Sequence, residues 1–236
     1  MSKEIYETLW ETGWEDARHY GPIARHSRRI INNMTLDLNI TSVLDVGCGE
    51  CSLLNSIEKN HYPSSVSGID ISQKALELCK KIIPNGSFYK LDITSEKLEE
   101  KFDLIVSADV IEHLNNDQAA IRNISAMLNP GGRLIISTLL GEMRAVERQV
   151  GHLRNYNKKD LLDKITNTGL EIEQVTTWGW PIFSPIYRNL LNLINNKGTM
   201  GKFGIFRKVI CNILYYLFYL NSSKKGDYIF IRAKKI

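Results

Sequence analysis

Apolar and polar positions along this chain follow two rhythms, and the switches between them set out its elements. Val43 to Val46 is a short apolar run around one acid, Asp45, and it feeds Gly47-Cys48-Gly49. From Ser52 the pattern turns helical through Leu53, Leu54 and Ile57. Val66–Asp70, Ser87–Leu91 and Leu134–Ser137 read as further strands. The run beginning at Phe102 is apolar on both faces, the mark of a buried central strand. Ser72 should cap a helix through Ala75, Leu76, Cys79 and Ile82 that Pro84 stops. A later helix is predicted over Lys158–Thr168, followed by strands at Leu170–Thr177 and Asp227–Lys234. Residues 4 to 36 read as helical, with Trp10, Trp14 and Tyr20 among charges.

The 49 residues from 178 to 226 interrupt this rhythm. They contain Trp178, Trp180 and Phe183, then a helix-like run through Ile186, Tyr187, Leu190, Leu191 and Ile194. A second run places Phe206, Val209, Ile210, Ile213, Leu214, Leu217 and Phe218 at helical spacing, with Tyr215, Tyr216 and Tyr219 widening the apolar face.

Composition narrows the class. The 236 residues suit one α/β domain with an appendage, with the apolar and charged fractions of a soluble globular protein. No 18-residue apolar run marks a membrane span, and the N-terminus lacks the basic-then-apolar pattern of a signal peptide. Both point to a cytoplasmic protein, at most peripheral at the inner membrane face. Charge is uneven beneath the net +4. From Lys197 onward nine basic side chains face Asp227 alone, a net +8 that leaves −4 for residues 1–196. A basic, aromatic tail points to an anionic partner or surface. The cysteines Cys48, Cys51, Cys79 and Cys211 are scattered apart from Cys48-x-x-Cys51, and no second pair completes a tetrahedral zinc site.

An apolar strand, a Gly-rich turn and a helix open a nucleotide-binding βαβ unit. Gly47 and Gly49 can take positive φ and let a ligand approach the backbone. A dinucleotide site would want a third glycine, and Ser52 stands where it belongs. Asp45 at the strand's end would repel a pyrophosphate but suits a cation such as an amino acid's ammonium. Asp70 lies 21 residues beyond Gly49, where such units place a ribose-binding acid. The pattern Asp-x-Gly-x-Gly resembles the first motif of class I S-adenosylmethionine-dependent methyltransferases. Asp92-Ile93, the stretch Phe102–Leu114 with its Glu-His-Leu ending, and Asn129–Ser137 are similar to that family's later motifs in order.

The resemblance implies an α/β, Rossmann-like, seven-stranded and mainly parallel sheet flanked by helices, with an antiparallel last strand. It implies a cap (1–36), a cofactor-binding core (37–177), an apolar helical insertion (178–226) and a closing strand (227–236). S-adenosyl-L-methionine is the implied cofactor. Asp45, Gly47, Cys48 and Gly49 would hold its methionine moiety, Asp70 and Ile71 the ribose, and Asp92 and Ile93 the adenine. Ala108 and Asp109 would border the methyl. Cys51 stands where the family has a third small residue, usually glycine, which implies crowding near the methionine end.

Catalysis needs a base only if the acceptor is a hydroxyl or a protonated amine. His113 follows the fourth strand and His152 lies in a loop, so either could be that base or a structural histidine. Glu112, His113 and His152 are also part of a metal-ligand set that resembles the small-RNA 2′-O-methyltransferases, which carry a second Glu where this chain has Asp109. The expected acceptor is a small molecule or a lipid or glycan precursor, methylated at oxygen. The alternatives are an RNA 2′-O-methyltransferase, a non-catalytic regulator that binds the cofactor, and a nicotinamide oxidoreductase. Greasy helices interrupt the tail's charge, which argues against nucleic acid. The insertion could form a lid, a homodimer surface or an interfacial membrane patch. The run Arg25-His26-Ser27-Arg28-Arg29 is left without a role, as a solvated face.

Overall fold

The computed structural model describes residues 14–194 and 201–236. Its centre is a seven-stranded sheet: β1 (Ser42–Val46), β2 (Ser65–Asp70), β3 (Ser87–Lys90), β4 (Phe102–Ala108), β5 (Leu128–Leu139), β6 (Leu170–Trp178) and β7 (Tyr228–Lys235). The strand order is β3-β2-β1-β4-β5-β7-β6. The first five are parallel, and β7 runs antiparallel between β5 and β6. Strand order reverses between β1 and β4, and crevices for ligands form outside the carboxyl ends at such a point.

Side chains alternate across a strand, so the apolar runs serve two cores at once. Val43, Leu104 and Ile135 face one layer with Ile31, Leu54 and Ile57. Leu44, Ile105, Leu134 and Ile136 face the other with Ile121, Ile124, Leu161 and Ile165. The covering helices are α1 (Trp14–Tyr20), α2 (Pro22–Asn33), α3 (Ser52–His61), α4 (Gln73–Ile82), α5 (Asp117–Ala126), α6 (Ala145–Gln149), α7 (Lys158–Thr166), α8 (Arg188–Ile194) and α9 (Ile205–Leu217). Ser72 caps α4 by accepting from the Ala75 N–H at 3.2 Å, as its position predicts.

Two sequence expectations are revised. Of the helical stretch read over 4–36, residues 4–13 lie outside the described residues. The remainder is not continuous: Pro22, which lacks an N–H, starts a new helix directly after Gly21. The Asn129–Gly132 turn is absorbed into β5 as a bulge, because Gly131 takes φ +77° and pairing shifts between Phe102 and Leu104.

The segment between β6 and β7 is helical. Its inner residues Phe183 and Phe218 pack into the first core beside Trp178 at the end of β6. Phe206, Val209, Ile210, Ile213 and Leu217 of α9, spaced as if for burial, are exposed. The apolar content of α9 runs around the whole helix, so periodicity did not identify the packed face.

Candidate functional site

Three cavities meet at the carboxyl edge of the sheet. The largest, about 270 Å³, is bounded by Gly47, Gly49, Asp70, Ile71, Asp92, Ile93, Asp109 and His113. Gly47 sits at φ +73°, and a Cβ there would lie 2.4 Å from Val110 Cγ2. The close approach therefore needs glycine twice over, for conformation and for space. The Gly47 and Cys48 N–H groups donate to the Ile69 carbonyl, fixing the loop to β2.

Asp70 is buried at the floor of this cavity. Its Oδ2 accepts the Gly49 N–H at 3.0 Å and its Oδ1 the Ser72 N–H at 2.9 Å. Burial pushes its pKa up to about 6 while those N–H groups pull it back. Asp92 Oδ1 accepts from the Thr94 N–H and hydroxyl, so this acid both shapes its turn and borders the cavity.

A smaller cavity, about 40 Å³, adjoins Arg18, Arg28, Asp45, Cys48, Glu50 and Ala108. Burial raises the pKa of Asp45 well above the ordinary carboxylate range, and the negative neighbours Cys79, Glu50 and Asp70 add to it while Arg18 opposes. An acid so placed favours a cationic ligand. Arg28 Nη1 donates to Ser52 Oγ at 3.0 Å, and the Ser52 hydroxyl in turn donates to Glu50. Two guanidinium groups and two acids on one small space suit a zwitterion. The Arg25–Arg29 run thus supplies a site residue where its sequence suggested only a solvated face.

Cys48 borders this cavity, yet its thiol turns into the core, 3.6 Å from Cys79 Sγ. Cys51 sits at φ +67° with its side chain fully buried and lines none of the three cavities. Its side chain lies in the core and not on the space where crowding was expected. The cysteines are also less scattered than their spacing suggested: Cys48, Cys51 and Cys79 bring their sulfurs within 4.8 Å of one another.

The third cavity, about 210 Å³, is walled by Glu112, His113, Glu147, His152, Phe183, Arg188, Leu191 and Tyr228. Arg18 and Asp109 border all three spaces, and His113 borders the first and third. Asp109 stands at φ +57° and is fully engaged: Oδ1 accepts from the Tyr228 hydroxyl at 2.5 Å and Oδ2 from Arg18 Nη1 at 3.1 Å. It holds the cap helix to the sheet instead of offering a free carboxylate.

His113 and His152 lie together, ring centroids 4.7 Å apart. Burial, then the neighbouring His152, lowers the pKa of His113 to about 3; burial also lowers that of His152. Both rings are neutral at neutral pH. Burial, with the charge of Asp109, raises Glu112 to about 8. Its Oε2 accepts from Thr138 Oγ1 at 2.9 Å, and its Oε1, 3.9 Å from His152 Nε2, has no hydrogen-bond partner among the described residues. The ionised form of a carboxyl raised to about 8 is a stronger proton acceptor than an imidazole pushed to about 3, and it is populated as the pH rises toward that value. Glu112 therefore joins the candidate bases. Glu112, His113 and His152 also present ligand atoms within 4.8 Å, an oxygen and nitrogen set that suits a divalent ion. Asp109, already paired twice, does not extend it to four.

Residues 39–198 match the family described as Methyltransferase domain. A ubiquinone biosynthesis O-methyltransferase of Coxiella burnetii is 30% identical over 109 residues, 44% of this chain and 45% of that protein. A ubiquinone biosynthesis O-methyltransferase of Azoarcus sp. is 28% identical over 153 residues, 59% and 63% of the two chains. The chain thus spans about half the length of the first and under two thirds of the second. Among solved structures, the N-methyltransferase NodS of Bradyrhizobium japonicum, in complex with S-adenosylhomocysteine, superposes with a TM-score of 0.57 at 18% identity, covering 91% of this chain and 88% of that one. That likeness carries the fold alone.

Proposed function

Since the chain belongs to the class I S-adenosylmethionine-dependent methyltransferase family, we propose that it transfers a methyl group to an oxygen of a small-molecule or lipid- or glycan-precursor acceptor. The observation that carries this reading is the meeting of the largest and third cavities at Arg18, Asp109 and His113. One space takes the cofactor, and the other takes the acceptor.

When bound, S-adenosylmethionine supplies an electrophilic methyl on a sulfonium. Asp70 accepts hydrogen bonds from the ribose hydroxyls, while Asp92 and Ile93 receive the adenine. Asp45 and Glu50 face the ammonium, and Arg28 the carboxylate. The third cavity holds the acceptor aligned, which is the main contribution to an in-line displacement. Glu112 or His152 takes the hydroxyl proton. The oxygen assignment is supported by the two O-methyltransferase relatives.

Calorimetric titration with S-adenosylmethionine, S-adenosylhomocysteine and NAD tests the premise. Both sulfur ligands should bind at micromolar levels and NAD should not. Binding of NAD alone would overturn the reading of Asp45 and with it the site.

Cofactor affinity should also depend on pH. Asp70 accepts from the ribose best when ionised, and it is fully ionised only above about pH 6. As pH falls through that value, affinity should weaken by up to about tenfold per unit. The same titration run from neutral to mildly acidic pH reads this, and the Asp70→Asn variant should lose the dependence.

A further inference from the structure

Helix α9 carries apolar residues on the side that faces away from the protein. Cys211 and Phe218 point inward, and Tyr215 lies under the Arg25 guanidinium at 3.6 Å. On the outside, Phe206, Val209, Ile213, Tyr216 and Leu220 form a single stripe at spacings of three and four residues. Phe206 is 79% exposed, Tyr216 69% and Leu220 68%. A helix stripe this apolar and this open marks a surface with a partner. Residues 201–226 contain no acid. Lys202, Lys224 and Lys225 stand exposed near the two ends of α9, with Arg207 and Lys208 on its flanks.

We propose that this face docks the protein on an anionic lipid bilayer, with α9 lying in the interface. The helix has 13 residues, too few to cross the hydrocarbon, and no described helix is long and apolar enough to do so. An apolar stripe among cations is what an interfacial helix needs: the stripe enters the acyl boundary and the cations meet anionic headgroups. Tyr216, 69% exposed, can place its ring in that boundary and its hydroxyl in the headgroups. A second copy of the chain fits less well, because pairing two such faces would bring their cations together, and residues 201–226 carry no acid of their own to neutralise them. The same inter-strand segment walls the third cavity through Phe183, Arg188 and Leu191. Docking would therefore hold the acceptor space at the bilayer, which favours a lipid-borne acceptor. That last step rests on the function proposed above; docking does not.

The test is vesicle flotation of the full chain with phosphatidylcholine alone and with added phosphatidylglycerol. The chain should float with the anionic vesicles, less so at high salt. A Phe206→Asp/Ile213→Asp variant should bind at least about tenfold more weakly. Both positions are exposed, so the variant should keep its thermal stability and its calorimetric binding of S-adenosylmethionine. Absence of flotation with anionic vesicles overturns the proposal. So does a dimer of the unaltered chain in sedimentation velocity that the same substitutions dissociate. Loss of S-adenosylmethionine binding by the unaltered chain would instead strike the functional reading and leave docking standing.

Discussion

Replacing Asp70 with alanine should weaken S-adenosylmethionine binding by about 1.5–3 kcal/mol, the cost of removing a charged hydrogen-bonding partner. The geometry explains why this acid matters more than its neighbours. Each of its oxygens already takes one backbone N–H, from Gly49 and from Ser72, so the carboxylate is locked in orientation before any ligand arrives. Each oxygen keeps a lone pair for a ribose hydroxyl, and bonds to a charged acceptor are the stronger kind. Alanine removes both acceptors and frees the Gly49 N–H at the mouth of the glycine turn. Asp70→Asn keeps the shape and removes the charge, so it should fall between alanine and the unaltered chain. The acid is buried with its pKa pushed up, so it costs folding energy as an anion; neither variant should lose much thermal stability. Calorimetry reads the affinity and a thermal melt controls for folding. An alanine variant with unchanged affinity would remove Asp70 from the site.

Asp70 was legible in the sequence because its signal is local. A strand's period, a positive-φ glycine and a fixed spacing to the next strand end are all written within a short stretch, and so were Ser72 as a cap and the sheet itself. What the sequence hid comes from packing between distant segments. Arg18 and Arg28 join the site because α1 and α2 fold over the loop after β1, and helical periodicity does not say which arginine faces it. Asp109 could be placed at the end of β4, but not its pairing with Tyr228, which lies 119 positions away. Cys79 joins Cys48 and Cys51 from the next βα unit. For α9 the period was legible and its role was left open, since an apolar stripe records a helix without recording what it faces. Glu112 escaped notice as a candidate base because burial, with the charge of Asp109, is what moves its pKa toward neutrality.

The largest loss of stability is expected at a residue that no local pattern singles out. Arg188 of α8 is only 3% exposed and joins three separate elements. Its Nε donates to Glu147 Oε1 of α6 at 2.9 Å, Nη2 reaches the same oxygen, and Nη1 donates to Asp227 Oδ2 just before β7 at 2.6 Å. Burial pushes the Glu147 pKa up, and Arg188, with the Arg144 N–H and Asn155, outweighs it and holds the group below its ordinary value. Arg188→Ala would leave the buried Glu147 charge without its guanidinium, with Arg144 Nη1 at 4.0 Å as the nearest cation among the described residues. Glu147 Oε2 would keep only its bonds from the Arg144 N–H and Asn155. Breaking one side of a buried pair costs about 3–5 kcal/mol. For a chain of this size that is roughly 6–20 °C in melting temperature. An Arg188→Met/Glu147→Gln double variant removes both charges and should recover most of the loss. The damage should fall on the third cavity, because Arg188 and Glu147 form its wall and neither borders the cofactor space. At a temperature where the single variant is folded, its S-adenosylmethionine affinity should match that of the unaltered chain. A variant with an unchanged melting temperature would show that the Glu147 carboxylate finds another partner, and that the insertion is held to the sheet by its apolar contacts alone.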